Sequence, residues 1–214
     1  MEYVVMLIIA YLIGSINFSI LISKKKAGYD IREKGSGNAG TTNMLRNLGK
    51  KYAAITLICD ILKGVVSIVI AIIIGKILGG NTNAALLVQI AGVAVVLGHT
   101  FPIFFGFKGG KGVATSLGIL LITNWQIGLI CLVFGIVLIA LTRMVSLGAI
   151  AAAVLFPILT LFIGENYYIV PSFSGLGNGY FIFSVILAVI VIFNHRTNIK
   201  RILNGSENKV SFKK

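Results

Sequence analysis

The sequence predicts an all-α integral membrane protein, a polytopic bundle of about seven helices with some of them short, and three observations predict it. Hydrophobic residues make up 57% of the 214 residues and charged residues 12%, and the mean hydropathy is +0.98, a balance too apolar for a soluble domain. Apolar runs long enough to cross about 30 Å of hydrocarbon recur along the chain. Charge is one-sided, with 19 Lys and Arg against 6 Asp and Glu for a net +13, and it gathers between the runs. On a soluble protein that excess would point to nucleic acid; here it reads as cytoplasmic loops obeying the positive-inside rule beside anionic lipid.

The elements follow in order. Residues 3–22 lack a basic n-region and a small-residue cleavage site, so they read as a retained first span. A basic loop follows, with Lys24, Lys25, Lys26, Arg32, Lys34, Arg46, Lys50 and Lys51. Runs 52–78 and 84–105 are the next spans. Between residues 113 and 141 lie shorter apolar pieces interrupted at Thr123-Asn124-Trp125-Gln126; the first gives only about 16 Å of helix. The pair reads as a hairpin of short helices that dips in and returns, with Trp125 near the far interface. Runs 147–163 and 180–193 complete the set, and residues 203–214 form a loose basic cytoplasmic tail. Everything belongs to a single membrane-embedded domain, 1–214.

The charge distribution puts the N-terminus outside and the C-terminus in the cytoplasm, which gathers the loop at 106–112, Arg143 and the tail on one cytoplasmic face. Cys59 and Cys131 sit inside apolar runs and read as inert packing residues.

The loop Gly106-Phe107-Lys108-Gly109-Gly110-Lys111-Gly112-Val113-Ala114-Thr115 has the ingredients of a phosphate cradle. Glycine backbone approaches an oxyanion closely, lysines supply countercharge, and a helix starting at Val113 aims free N–H groups at the same point. It is not a Walker A loop, because the Gly-Lys-Ser/Thr ending is missing. Lys111, flanked by glycines, reads as an anion ligand; Lys108 fits an anion ligand or a solvated interface charge. Just upstream, Pro102 can end a span and His99 can bond a neighbouring helix. In the stretch 35–46, three glycines, hydroxyls and amides suit phosphate or simply a polar connection, and Asn43 and Arg46 share a helix face.

Asp60 and Lys63 lie on one face of the second run, where each charge costs about 2.5–3.5 kcal/mol to insert unless paired. A structural ion pair and direct substrate contact both fit them. Ser146 follows Arg143 at a helix junction, and His195 and Asn198 stand at i and i+3 after the last run. Arg196 and Lys200 fit a lipid-facing basic patch, but His195 and Asn198 lack the charge that such a patch needs.

Zinc chemistry has little support, with 2 histidines, no cysteine pair and scattered acids. A Gly-x-Ser-x-Gly elbow is absent. Phe104 and Lys200 stand where the His and Asp dyad of CoA-dependent glycerolipid acyltransferases would place an acid.

Taken together, Ser36-Gly37-Asn38-Ala39-Gly40-Thr41-Thr42-Asn43 with Arg46, Asp60-Ile61-Leu62-Lys63-Gly64, Gly98-His99-Thr100-Phe101-Pro102, Gly109-Gly110-Lys111-Gly112-Val113-Ala114-Thr115, Arg143 with Ser146, and His195-Arg196-Thr197-Asn198-Ile199 resemble the bacterial membrane-embedded acyl-phosphate:glycerol-3-phosphate acyltransferases. The likeness runs in order over nearly the whole chain. It departs at Thr41, where that family favours Ala, and at Ala149, where a second Ser is common.

The resemblance implies transfer of a fatty acyl group from acyl phosphate to the 1-hydroxyl of sn-glycerol 3-phosphate, giving lysophosphatidate and phosphate in phospholipid synthesis, at the cytoplasmic side of the bacterial plasma membrane. It implies that Ser36, Arg46 and Lys111 hold substrate phosphates and stabilise developing charge, while His195 and Asn198 orient the attacking hydroxyl. Asn38, Gly40, Thr41, Asn43, Lys108, Gly109, Gly110, Gly112, Thr115 and Ser146 would bind substrate. Either His195 or a substrate phosphate takes the proton, a Ser36 acyl-enzyme is a weaker route, and Lys111 can serve either phosphate.

No cofactor, metal, nucleic acid or obligate protein partner is expected beyond the substrates and membrane lipid. The competing class is a small transporter or channel for an anionic metabolite. Its site belongs at mid-bilayer between repeats, whereas these motifs gather on one face.

Overall fold

The structure, a computed structural model, describes residues 1–78, 83–163 and 177–210. Within hydrocarbon a backbone satisfies its polar groups only as helix or closed barrel, and each predicted apolar run is helical. The connections after runs 52–78 and 147–163 lie mostly outside the described residues.

The first run, expected as one span over 3–22, qualifies as one span over Glu2–Ala27, with an internal break between α1 (Glu2–Ser15) and α2 (Phe18–Ala27). Asn17 causes the break. Its backbone is extended, and its side-chain oxygen accepts from the Ile20 N–H at 3.2 Å and the Ser19 hydroxyl at 2.7 Å, so it caps α2. Gly28, in the left-handed region at φ 74, ends α2. A 3₁₀ turn at Ile31–Glu33 leads to α3 (Thr41–Leu78), which starts well before the expected residue 52. Gly49 (φ 83, ψ −179) separates its polar first turns, which carry Arg46, from the apolar span.

Asn83 caps α4 (Ala84–Thr100) through the Leu86 N–H at 3.0 Å. A 3₁₀ turn at Ile103–Phe105 precedes the glycine loop and α5 (Val113–Thr123). Asn124 then caps α6 (Trp125–Thr142) through the Ile127 N–H at 3.1 Å. The expected hairpin of short helices is therefore half right: α5 is short, whereas α6 has the 18 residues and the apolarity to cross a membrane. Last come α7 (Val145–Phe162), α8 (Gly177–Asn194) and α9 (Arg196–Leu203), α9 bending by 62° from α8. Among the described residues, 5 helices qualify as spans and the bent pair makes a sixth.

The chain divides into two compact units, Met1–Ile122 and Thr123–Lys214. In the first, α1 packs on α4 and α3 packs on α4 and α2, and glycines let backbones meet at particular points. A Cβ on Gly14 would strike the Val95 carbonyl, and one on Gly98 would strike the Tyr11 carbonyl. The same reciprocal fit joins α3 and α5, with Gly64 against the Thr115 carbonyl and Gly118 against that of Ile61. Lipid removes the hydrophobic drive between helices, so close packing of small residues has to supply the attraction. Beneath the loop after α2, buried Ile20, Ile31, Ala39, Met44 and Ala53 form an apolar core that anchors residues 28–40.

In the second unit α7 packs against α6 and α8, with Gly148 close to the Gly135 carbonyl. The tail is not loose over 204–210. The Ser206 N–H donates to the Arg201 carbonyl at 2.8 Å and the Val210 N–H to the Arg143 carbonyl at 2.8 Å, so this stretch straps back over the α6–α7 junction.

Gly98→Leu should push α1 off α4 and cost about 1–3 kcal/mol or more by overpacking. Thermal unfolding in detergent would then fall by several degrees; an unchanged midpoint would mean that α1 and α4 do not touch at this position.

Candidate active site

Charged groups buried in a span must find partners nearby. Lys63 and Asp60, on one face of α3, are 4% and 2% exposed, and their Nζ and Oδ1 atoms are 3.0 Å apart. The ammonium also donates to the Gly14 and Ile16 carbonyls at 3.0 and 3.2 Å, which the break after α1 leaves without helical partners. It lies 2.7 Å from His99 Nδ1. The same Nδ1 lies 3.5 Å from Asp60 Oδ1, so the ring closes the cluster from the α4 side. These bonds are all internal to the first unit and suit the structural reading of Asp60, Lys63 and His99.

His99 links that cluster to the glycine loop. The Gly110 N–H donates to the His99 carbonyl at 3.1 Å and the Gly109 N–H to the Thr100 carbonyl at 3.0 Å. A Cβ on Gly110 would collide with His99 Nε2 and come within 2.8 Å of the Ala39 carbonyl, so only glycine fits. The amides of Gly109 and Gly110, expected to point at phosphate, are thus spent on the terminal carbonyls of α4. Gly112 (φ 85) turns the chain into α5. Thr115 is fully buried and its Oγ1 has no hydrogen-bond partner. Lys108 is exposed and Lys111 half-buried.

Asn43 organises the stretch 35–46. Its Oδ1 accepts from the Ser36 N–H and from Asn47 Nδ2, each at 3.0 Å. Its Nδ2 lies 3.0, 3.0 and 3.1 Å from the Ile31, Lys34 and Asn38 carbonyls. Asn43, expected among the substrate ligands, is therefore a hub that ties up the loop with its own amide. Ser36 and Arg46 are exposed, Asn38 and Thr41 half-buried, and Gly40 buried. Because Ala39 abuts Gly110, the structure brings the Ser36 loop and the glycine loop together within the first unit.

Arg32 fastens the same region. Its Nε and Nη2 grip Asp30 Oδ1 and Oδ2 at 2.9 and 2.8 Å, and its Nη1 donates to the Phe105 and Lys108 carbonyls at 2.6 and 2.9 Å. Hydrogen bonding from Arg32 pulls the Asp30 carboxyl down to about 2 from 3.8, and Asp30 in turn raises Arg32. A carboxylate depressed in the folded state stabilises it fully above 3.8 and loses that contribution as pH falls through about 2.

In the second unit, buried His195 stands at the bend between α8 and α9. Its Nδ1–H donates to the Val191 carbonyl at 2.8 Å, which fixes the plane of the ring. Glu207 Oε1 accepts from Asn198 Nδ2 at 2.8 Å and from Ser146 Oγ at 2.9 Å. This gathers Ser146 and Asn198 around one carboxylate.

Neither Glu207 nor Arg32 stood out as a site residue in the sequence. The available signals were an acid alone in a basic tail and an Asp-x-Arg spacing before the glycine-rich stretch.

The chain is similar to known proteins along nearly its full length. A family model for glycerol-3-phosphate acyltransferase matches residues 4–205. The glycerol-3-phosphate acyltransferase of Thermoanaerobacter sp. (strain X514) is 48% identical over 96% of this chain and 94% of its own. That of Clostridioides difficile (strain 630) is 43% identical over 100% and 98%. The crystal structure of PlsY (YgiH), an integral membrane glycerol 3-phosphate acyltransferase, in its glycerol 3-phosphate form superimposes with a TM-score of 0.83 at 35% identity, covering 99% of this chain and 96% of that one. Its lysophosphatidic acid form gives 0.81 at 33% identity, again over 99% and 96%.

Asn43→Asp keeps the shape of the hub but turns donors into acceptors that face the Ile31, Lys34 and Asn38 carbonyls. It should lower stability by about 1–3 kcal/mol and expose 28–40 to limited proteolysis. Wild-type stability and protease resistance would remove Asn43 from that role.

Proposed function

This chain belongs to the glycerol-3-phosphate acyltransferase family, and from that premise we propose that it transfers a fatty acyl group from acyl phosphate to the 1-hydroxyl of sn-glycerol 3-phosphate. It is a multi-pass membrane enzyme, with glycerol 3-phosphate as acceptor and phospholipid synthesis as its setting. The transport alternative has no such family behind it. By the positive-inside rule the basic segments at 24–51 and 196–209 belong to the cytoplasmic side of a bacterial plasma membrane, and the chemistry with them.

The geometric observation that supports this reading most is the junction at Gly110. It sets a cationic glycine loop, the start of α5 and the Ser36 loop side by side. With the Gly109 and Gly110 amides spent, phosphate is held by Lys111 and Lys108, the first N–H groups of α5 and the Thr115 hydroxyl. Ser36 and Arg46, with Asn38, Gly40 and Thr41 shaping their loop, complete the anion-binding set. A mixed anhydride is already activated, so the protein's tasks are placement and charge stabilisation.

The glycerol oxygen attacks the acyl carbonyl, the resulting tetrahedral anion collapses, and the carbon–oxygen bond to phosphate breaks. The hydroxyl proton passes to His195 Nε2, whose tautomer suits a base, or to a phosphate oxygen with a second pKa of about 6. Asn198 and Ser146, anchored on Glu207, orient the acceptor.

Purified protein in detergent, given palmitoyl phosphate, should release phosphate only when glycerol 3-phosphate is present; a folded sample with no acceptor-dependent release would defeat the acyltransferase reading. With His195 as base, His195→Ala should lower kcat by about 10²–10⁴. A kcat close to wild type would hand the proton to phosphate.

A further inference from the structure

Arg32 spends four of its N–H groups inside the protein. Nε and Nη2 hold the Asp30 carboxylate side-on, and Nη1 bonds the carbonyls of Phe105 and Lys108. A guanidinium carries five donors, so little capacity remains for a substrate phosphate. The carbonyls it grips bracket a tight turn in which Gly106 and Phe107 both take positive φ, 66 and 58. That conformation is easy for glycine and strained for phenylalanine, so it persists only where its surroundings impose it. The Phe107 N–H donates to the Pro102 carbonyl at 2.9 Å from one side of the turn, and Arg32 closes the other. Directly downstream come Lys108 and Lys111.

We propose that Arg32, oriented by its forked bond to Asp30, is a positioning residue for acyl transfer: it holds the turn at 105–108 closed and so aims Lys108 and Lys111 at substrate phosphate. The inference rests on the acyltransferase reading and adds to it a residue that touches no reacting atom. Lysine cannot replace it, because one ammonium cannot grip a carboxylate side-on while bonding carbonyls on the opposite edge.

The test is glycerol 3-phosphate-dependent phosphate release from palmitoyl phosphate by wild type, Arg32→Ala, Arg32→Lys and Asp30→Asn, each with and without guanidinium at tens of millimolar. Arg32→Ala should lose roughly ten- to hundredfold in kcat/KM, the cost of misplaced binding groups. Added guanidinium should restore part of that loss while leaving wild type unchanged. Arg32→Lys should stay impaired, and Asp30→Asn should lose severalfold in kcat/KM, without rescue, in a protein still folded at the assay temperature though with a lower thermal midpoint.

Activity of Arg32→Ala within twofold of wild type, or a loss that guanidinium does not touch, would overturn the proposal. Should Arg32→Ala fail to fold, Asp30→Asn decides: wild-type kcat/KM overturns the clamp, and a severalfold loss in a folded protein supports it. Wild type without turnover would strike the acyltransferase reading and not the clamp.

Discussion

An ammonium group cannot stand alone inside a bilayer, and the first unit is arranged around the one on Lys63. Lys63 and Asp60 would each cost about 2.5–3.5 kcal/mol if buried unpaired. Pairing at 3.0 Å removes much of that cost, but an ammonium has further donors to satisfy. The break at Ile16 and Asn17 presents the carbonyls of Gly14 and Ile16, and His99 offers Nδ1. An interruption of the first span and a histidine at the end of α4 are thus the two halves of one solution. The glycines at 14 and 98 let α1 and α4 come close enough for Lys63 to reach both.

The consequences run outward to the loops. His99 meets Lys63 through Nδ1, its Nε2 edge lies against Gly110, and its carbonyl takes the Gly110 amide. Gly110 in turn abuts the Ala39 carbonyl in the stretch organised by Asn43. From buried charge to exposed lysine there is a continuous set of close contacts, and each step admits little slack. Rigid placement is what the proposed transfer from acyl phosphate would draw on, since the gain there lies in alignment.

Much of this was legible in the sequence, and the illegible parts share a cause. Hydropathy located the helical segments, because hydrocarbon enforces helix, and one-sided charge separated loops from spans. What pattern reading missed was where short polar groups spend their hydrogen bonds. Asn17 lies in an apolar run with nothing to distinguish a cap from a buried amide. Asn43, Gly109 and Gly110 stand in motifs that suggest ligand binding, yet their polar groups close the loops on themselves. Glu207 meets Ser146 and Asn198 from far along the chain, a pairing that no local spacing encodes. Arg32 read as one more basic loop residue because its charge was visible and its carbonyl partners were not.

Gly110 is the point through which the account passes, so Gly110→Ala tests it most directly. A single methyl there would meet His99 Nε2 and the Ala39 carbonyl. The account predicts a folded protein with unchanged helix content whose kcat/KM for glycerol 3-phosphate falls about a hundredfold, as expected when binding groups shift by about 1 Å. Wild-type kcat/KM in folded Gly110→Ala would contradict it, because the loop would then not be held between α4 and the Ser36 loop as described.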